Sequence, residues 1–331
     1  MKKTHIGAAL IGLLSTFSVA QAADKLSVMF PTFTGNAPVI VADAKGIFAK
    51  NDLEVDSRFE DDPSNVFAAM QRGDLDVDIR TIGEYQMRPR TADSGTIVIG
   101  TIDRSVGGDG VVAAGDIKSV KDLAGKSVAV TINAPAWTLL QLELTKAGVS
   151  LDSIQTRNIE IGDTAAVFSD PSISAIATSQ PFLSQLLAIA ASRAPHVLVS
   201  SAQSSYIVDV IIARKADVAA NPDKYRRFLK SLYTAVEIYK KSPEVFYDAA
   251  AKTFNLTPDQ VKDSVVGSLE YTDLAQAKHL LGTPAKPGEL YPVFEDLMKL
   301  NLTIKSASDA LKPTDHIDGS ILSSINESDL K

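Results

Sequence analysis

From Lys25 onward the chain alternates short apolar runs with segments of helical period, and it does so in two successive units. Lys25 to Phe30 is an apolar strand, followed by the loop Pro31-Thr32-Phe33-Thr34-Gly35-Asn36 and a helical stretch from Val39 to Lys50. Leu53 to Phe59 reads as a strand, Asn65 to Arg72 as a helix, and Val77 to Thr81 and Thr96 to Ile102 as strands. A helical crossover returns each strand parallel to the one before it, so the pattern predicts an α/β fold with a mostly parallel sheet.

The second unit begins near Val111. Ser119 to Leu123 reads as a short helix, Ser127 to Ile132 as a strand, Ala136 to Ala147 as a helix and Ile154 to Ile159 as a strand. Asp163 to Phe168 is a helix, Ile173 to Thr178 a strand and Pro181 to Ala191 a helix, with Val197 to Val199 short and extended. The apolar run Tyr206 to Ala213 then reads as a strand returning to the first unit. Beyond it the chain turns helical over Pro222 to Lys240, Pro243 to Phe254, Pro258 to Ser268, Leu274 to Leu281 and Pro287 to Leu300. Asn221-Pro222, Ser242-Pro243 and Thr257-Pro258 each set a capping residue before a proline at the first helical position. The 331 residues suffice for two domains. The expected division is 23–110 plus 210–331 for one lobe and 111–209 for the other, with two crossings that form a hinge.

Residues 1–22 are expected to be a signal peptide. Lys2 and Lys3 precede an apolar run from Ile6 to Val19, and Ala20-Gln21-Ala22 matches a cleavage site. The run falls short of the ~20 residues of a spanning helix. A bacterial periplasm is the simplest destination for the exported chain.

Composition removes several kinds of chemistry. The absence of cysteine excludes disulfides, thiolate metal sites and cysteine nucleophiles. A net charge of -7 with no dense Lys/Arg cluster argues against a nucleic-acid surface. Gly125-Lys126-Ser127 resembles the end of a phosphate-binding loop, yet Val120 stands where its first glycine belongs, and a strand follows rather than a helix. Gly108-Asp109-Gly110-Val111-Val112-Ala113 matches G-x-G-x-x-A but runs into an extended apolar segment, which offers a pyrophosphate no helix N-terminus. Asp74, Asp76 and Asp78 have calcium-loop spacing, but Ile79 and Tyr85 occupy the positions that need Gly and Glu. The histidines His5, His196, His279 and His316 lie far apart, and neither HExxH nor G-x-S-x-G occurs. A binding protein without metal or cofactor, and not an enzyme, is the expectation that remains.

Specific stretches carry a family resemblance. Gly46-Ile47-Phe48-Ala49-Lys50-Asn51-Asp52-Leu53-Glu54-Val55 resembles the KGLFEKxGLxV segment of periplasmic solute-binding proteins that feed ABC importers for sulfonates, taurine, nitrate and thiamine-type precursors. Ala68 to Asp76 is similar to that family's ALxxGxxD stretch, Ile117 to Ala129 to its IKSVxDLKGKxVA stretch, and Gln180-Pro181-Phe182 to the start of a family helix. The resemblance implies a type II periplasmic binding fold: two lobes, each a mostly parallel sheet flanked by helices, with a ligand cleft at the hinge. It further implies a small-molecule ligand, a permease and an ATPase as partners, a monomeric chain, and no chemistry on the ligand. Where sulfonate and nitrate binders of that family hold an anion on a Gly/Ser/Thr-rich turn, this chain has Asn133-Ala134-Pro135-Ala136-Trp137, and Pro135 lacks an N–H donor.

Ligands in open α/β sheets bind beyond the carboxyl ends of the strands. That rule selects Thr34 and Asn36; Gly83, Glu84 and Tyr85; Asp103 and Asp109; Asn133 and Trp137; Asp163; Gln180 and Phe182; and Asp209. Acids together with aromatic rings suit a ligand bearing an amine, ureido or pyrimidine-type nitrogen group. A sulfonate, taurine or nitrate anion is the alternative, and an enzyme or a sensory lobe on this fold is the lesser one. Each residue also has a plain structural reading: Trp137 as helix-face core, Asp163 and Glu84 as caps, Asp209 as a hinge residue bonded to backbone. Arg80 and Arg104 either neutralise acids or hold a carboxylate.

Overall fold

A computed structural model describes residues 22–88, 95–189, 191–204 and 206–330. The signal-peptide reading of residues 1–22 falls, apart from Ala22, outside the described residues.

The chain opens with β1 (Asp24–Phe30), α1 (Ala37–Ala44), α2 (Ile47–Lys50), β2 (Leu53–Phe59), α3 (Pro63–Arg72), β3 (Val77–Thr81), α4 (Ile82–Met87) and β4 (Thr96–Ser105). The helix expected over Val39 to Lys50 divides at Gly46, whose φ of 64° is a left-handed conformation that costs glycine nothing. Helix α4 was not expected, although Thr81 and Glu84 form a complete capping box at its start.

Next come β5 (Asp109–Ala113), β6 (Ser127–Val130), α5 (Pro135–Ala147), β7 (Gln155–Asn158), α6 (Thr164–Phe168), β8 (Ile173–Ser179), α7 (Phe182–Ile189) and β9 (His196–Ser200). The chain returns through β10 (Val208–Arg214) to α8 (Lys215–Ala220), α9 (Pro222–Lys241), α10 (Pro243–Ala251), α11 (Pro258–Val265), β11 (Leu269–Tyr271), α12 (Leu274–Leu281) and α13 (Leu290–Thr303). The helix expected to reach Ser268 ends at Val265, and the next residues supply β11, which pairs antiparallel with β4.

Two sheets result. One has the order β11-β4-β10-β3-β1-β2 and the other β7-β6-β8-β5-β9. Most strands in each sheet point the same way, as the crossover pattern requires, but β10 and β5 run antiparallel to both of their neighbours. These two are the strands that follow a crossing between sheets, so they enter from the cleft side rather than from a helical crossover. Both are continuous apolar runs buried along nearly their whole length, the pattern of central strands covered on both faces.

The first sheet is packed between helices in a core that includes Val28, Ile79, Ile211, Phe228 and Phe294. The second has a core on each face, one around Val128, Leu140 and Leu144 on α5, the other around Phe168, Ile176 and Leu186. The fold is therefore two-lobed α/β, with strand ends of both sheets meeting at the crossings.

Candidate ligand-binding cleft

A cleft of about 560 Å³, open solvent included, lies between the lobes at the carboxyl ends of the strands. Its walls come from the loops after β1 (Pro31 to Phe33), β2 (Asp61, Pro63), β6 (Thr131 to Pro135) and β7 (Ile161), and from Arg80, Thr81, Glu84, Asp109, Ser179 and Asp209 at or near strand ends.

The local sequence sets the charge pattern on β3. Residues two apart in a strand share a face, so Asp78 and Arg80 meet there, with Asp78 Oδ1 3.4 Å from Arg80 Nε. Glu84, one helical turn on, places Oε1 3.3 Å from Arg80 Nη1. Arg80 also donates to the Glu60 carbonyl, and Arg88 is held by Asp78. Neighbouring acids hold the Arg80 guanidinium above its usual pKa against the opposing effect of burial. Glu84 has a second task, since its Oε2 accepts from the Thr81 N–H and hydroxyl at 3.1 and 2.9 Å.

The acids at the crossings are not matched in this way. Asp209 on β10 lies directly opposite Asp103 on β4, and both are buried. Burial, followed by the negative charge of neighbouring acids, raises both carboxyls well above the ordinary carboxylate range. Asp109, at the start of β5, is raised by burial to a pKa of about 7, against the lowering effect of a hydrogen bond from Ser105. Asp109 and Asp209 line the cleft, and the Oδ2 of each is buried and has no hydrogen-bond partner among the described residues.

A hydroxyl chain supports these acids. Ser201 Oγ, on the return crossing, accepts from the N–H groups of Gly107 and Asp109 at 2.9 and 3.2 Å and lies 2.8 Å from Ser105 Oγ. With its lone pairs so engaged, the Ser201 hydroxyl donates to Ser105, which in turn donates to Asp109.

Of the sequence-selected residues, Glu84, Asp109 and Asp209 line this cleft. Asp103 lies beneath them, covered by the Thr34–Asn36 turn: a Cβ added to Gly35 would stand 2.3 Å from Asp103 Oδ2. Thr34 and Asn36 are buried, with the Thr34 carbonyl accepting from Tyr271 Oη and Asn36 Nδ2 donating to the Pro31 carbonyl. Tyr85 packs in the core against Phe294, its hydroxyl 2.7 Å from His316 Nδ1. Trp137 belongs to the core of the second lobe. Asn133 and Asp163 are exposed, and Asp163 makes no side-chain cap. Gln180 braces the lobes, its Nε2 3.4 Å from Ser268 Oγ, and Phe182 is half-buried at the start of α7. Gly83 lines a neighbouring cavity.

Thr32, Phe33, Asp61, Thr131, Ile132, Ile161 and Ser179 were not singled out from the sequence. All but Asp61, whose loop after β2 supplied no selected residue, lie one or two positions from selected residues at the same strand ends. Loop position was legible, but which side chain turns inward depends on loop conformation. Asp61, for example, faces Thr32 because it accepts from that residue's N–H and hydroxyl at 2.7 and 3.0 Å.

Comparison with known proteins gives three results. A family model described as NMT1/THI5 like matches residues 34–245. A Brucella abortus relative named only as a binding protein is 28% identical over 226 residues, which is 66% of this chain and 68% of the relative. Among solved structures, the alkanesulfonate-binding protein from Xanthomonas axonopodis pv. citri, bound to MOPS, superposes with a TM-score of 0.71 at 13% identity, covering 88% of this chain and 97% of that one. The periplasmic nitrate-binding protein from Synechocystis PCC 6803 gives 0.69 at 14% identity, covering 93% and 87%. At such identities the structural likeness establishes the fold alone.

Proposed function

Because the chain belongs to the NMT1/THI5-like family, we propose that it is the extracytoplasmic solute-binding component of an ABC importer, and that its ligand is a small nitrogen-containing cation. In this reading, residues 23–110 with 210–331 and residues 111–209 close on the ligand as two lobes. The chain acts in the periplasm and passes its ligand to a permease and ATPase without altering it.

One observation carries the ligand class. Asp109 and Asp209 line the cleft, each with a buried carboxyl oxygen that has no hydrogen-bond partner among the described residues, whereas the guanidinium there, that of Arg80, is already matched by Asp78 and Glu84. An ammonium, amidinium or protonated pyrimidine supplies N–H donors and positive charge at once, and charge-assisted hydrogen bonds of this kind are the strong ones. Phe33, Pro31, Pro63 and Pro135 provide apolar walls for the rest of the molecule. The similar folds of an alkanesulfonate binder and a nitrate binder favour an anion as the second reading, with Arg80 as its partner. That reading leaves the two carboxylates unmatched and places like charge beside them.

Isothermal titration calorimetry decides between the two. Amines, amidines, ureas and pyrimidines form one panel, methanesulfonate, taurine and nitrate the other. Saturable binding within the first panel, weakened tenfold or more in Asp109→Asn, is expected. Binding confined to the second panel would overturn the cationic reading.

A further inference from the structure

Charge around the two crossings does not balance. On β3 and α4, the acids Asp78 and Glu84 are matched by Arg80 and Arg88. Asp103, Asp109 and Asp209 remain, all fully or almost fully buried, and none of them forms an ion pair among the described residues. The groups that act on them come from several elements: Arg80 and Glu84 from β3 and α4, Asp103 from β4, Asp109 from β5, Asp209 from β10 and the Tyr271 hydroxyl from β11. Arg80 is the smallest of the influences on Asp209, behind burial and the acids. Arg104, also on β4, is exposed and pairs with Glu270 instead, while Asp61 at the cleft wall is held by Thr32. The second lobe lines the cleft with no charged residue besides Asp109, and β8 sets the neutral Ser179 opposite it.

A carboxylate buried without a cation is costly enough that the group takes up a proton instead. Of the three acids, Asp109 surrenders its proton most readily. It accepts from Ser105, whereas Asp103 and Asp209 stand directly opposite one another and each disfavours the other's charge.

We propose that ligand binding is an exchange, in which a cation entering the cleft expels the proton that Asp109 carries in the protein without ligand. The O–H bond of the carboxyl breaks, the proton leaves to solvent, and the carboxylate oxygen so freed accepts an N–H of the ligand, whose positive charge replaces the proton's. The net charge of the site is unchanged, and nothing is oxidised or reduced. The inference rests on the cationic reading of the cleft and adds a regulation to it. Affinity rises with pH while a proton has to be expelled, by up to about tenfold per pH unit for one proton. The Asp109 pKa of about 7 sets the upper end of that rise. An anion held by Arg80 would show the opposite sign.

The test is isothermal titration calorimetry of the protein with acetamidinium, guanidinium and methylammonium, whose own charge is constant between pH 5 and pH 8. At each pH the enthalpy is measured in two buffers of different ionisation heat, and the difference counts the protons released. Release of about one proton at pH 6 is expected, falling toward pH 8, with affinity rising from pH 5 to pH 7. Asp109→Asn should lower the count at pH 6. Infrared spectra of the protein without ligand give a readout that survives a variant too weak to titrate: the carbonyl stretch of protonated carboxyls should be present at pH 6 and weaker in Asp109→Asn. A cation bound with no proton release and an affinity flat with pH would overturn the exchange and leave the cationic reading standing. A carbonyl band unchanged in Asp109→Asn would overturn it as well. Failure of all these cations to bind would remove the cationic reading, and the exchange with it.

Discussion

Asp109 is the residue at which the proposed binding and stability oppose one another. Its pKa in the folded chain is about 7 against an ordinary value of 3.8, because burial penalises the charged form. Between those values the folded state holds a proton that the unfolded state has released, so stability falls as pH rises from about 4 to about 7 and is flat above. The raised Asp103 and Asp209 act in the same direction. Asp109→Asn removes this group's share. The advantage of the variant over the parent should widen between pH 5 and pH 8, by roughly 2–3 kcal/mol for a shift of this size. Urea unfolding of both proteins at the two pH values measures the difference. An equal gap at pH 5 and pH 8 would show that Asp109 does not titrate in that window. The same substitution is expected to weaken a cationic ligand, so the site keeps an acid that the free fold would do better without.

At the scale of elements, the two crossings form a single unit. Ser201 ties the second crossing to Ser105, Gly107 and Asp109 of the first through contacts of 2.8 to 3.2 Å, and it is fully buried. Ser201→Ala leaves the Gly107 and Asp109 N–H groups without this acceptor, and an unsatisfied buried donor costs about 1–3 kcal/mol. Equilibrium denaturation should show a loss in that range, and a loss below ~0.5 kcal/mol would mean that the crossings are held together by other contacts. The sequence showed where these elements begin more readily than how they pair. Strands such as Leu53–Phe59 and Val77–Thr81 have the bounds their patterns predict, because apolar periodicity and local turn chemistry act over a few residues. Helix α4 and strand β11 were missed. Each is short, and each owes its position to partners distant in sequence: α4 packs against α13, and β11 against β4.

For the whole molecule, the two lobes joined by two crossings predict closure on the ligand. A saturating cation should reduce the radius of gyration in small-angle scattering and stabilise the fold by about 2.7 kcal/mol at a hundredfold excess over the dissociation constant. A stabilised protein of unchanged dimensions would place the ligand in a cleft that is already shut. The sequence by itself determined the α/β class, the division into two units, the return of the chain at β10, and the loops in which the cleft would be found. Those features follow from periodicity and from where turns fall, which are local properties of the chain. Tertiary structure alone decided which side chains reach the cleft. It sent Trp137 and Tyr85 into separate cores, left Asn133 and Asp163 in solvent, and set Asp209 directly opposite Asp103. The reason is physical: the register between β4 and β10 joins residues about a hundred positions apart, and only that pairing places two carboxyls in one buried space.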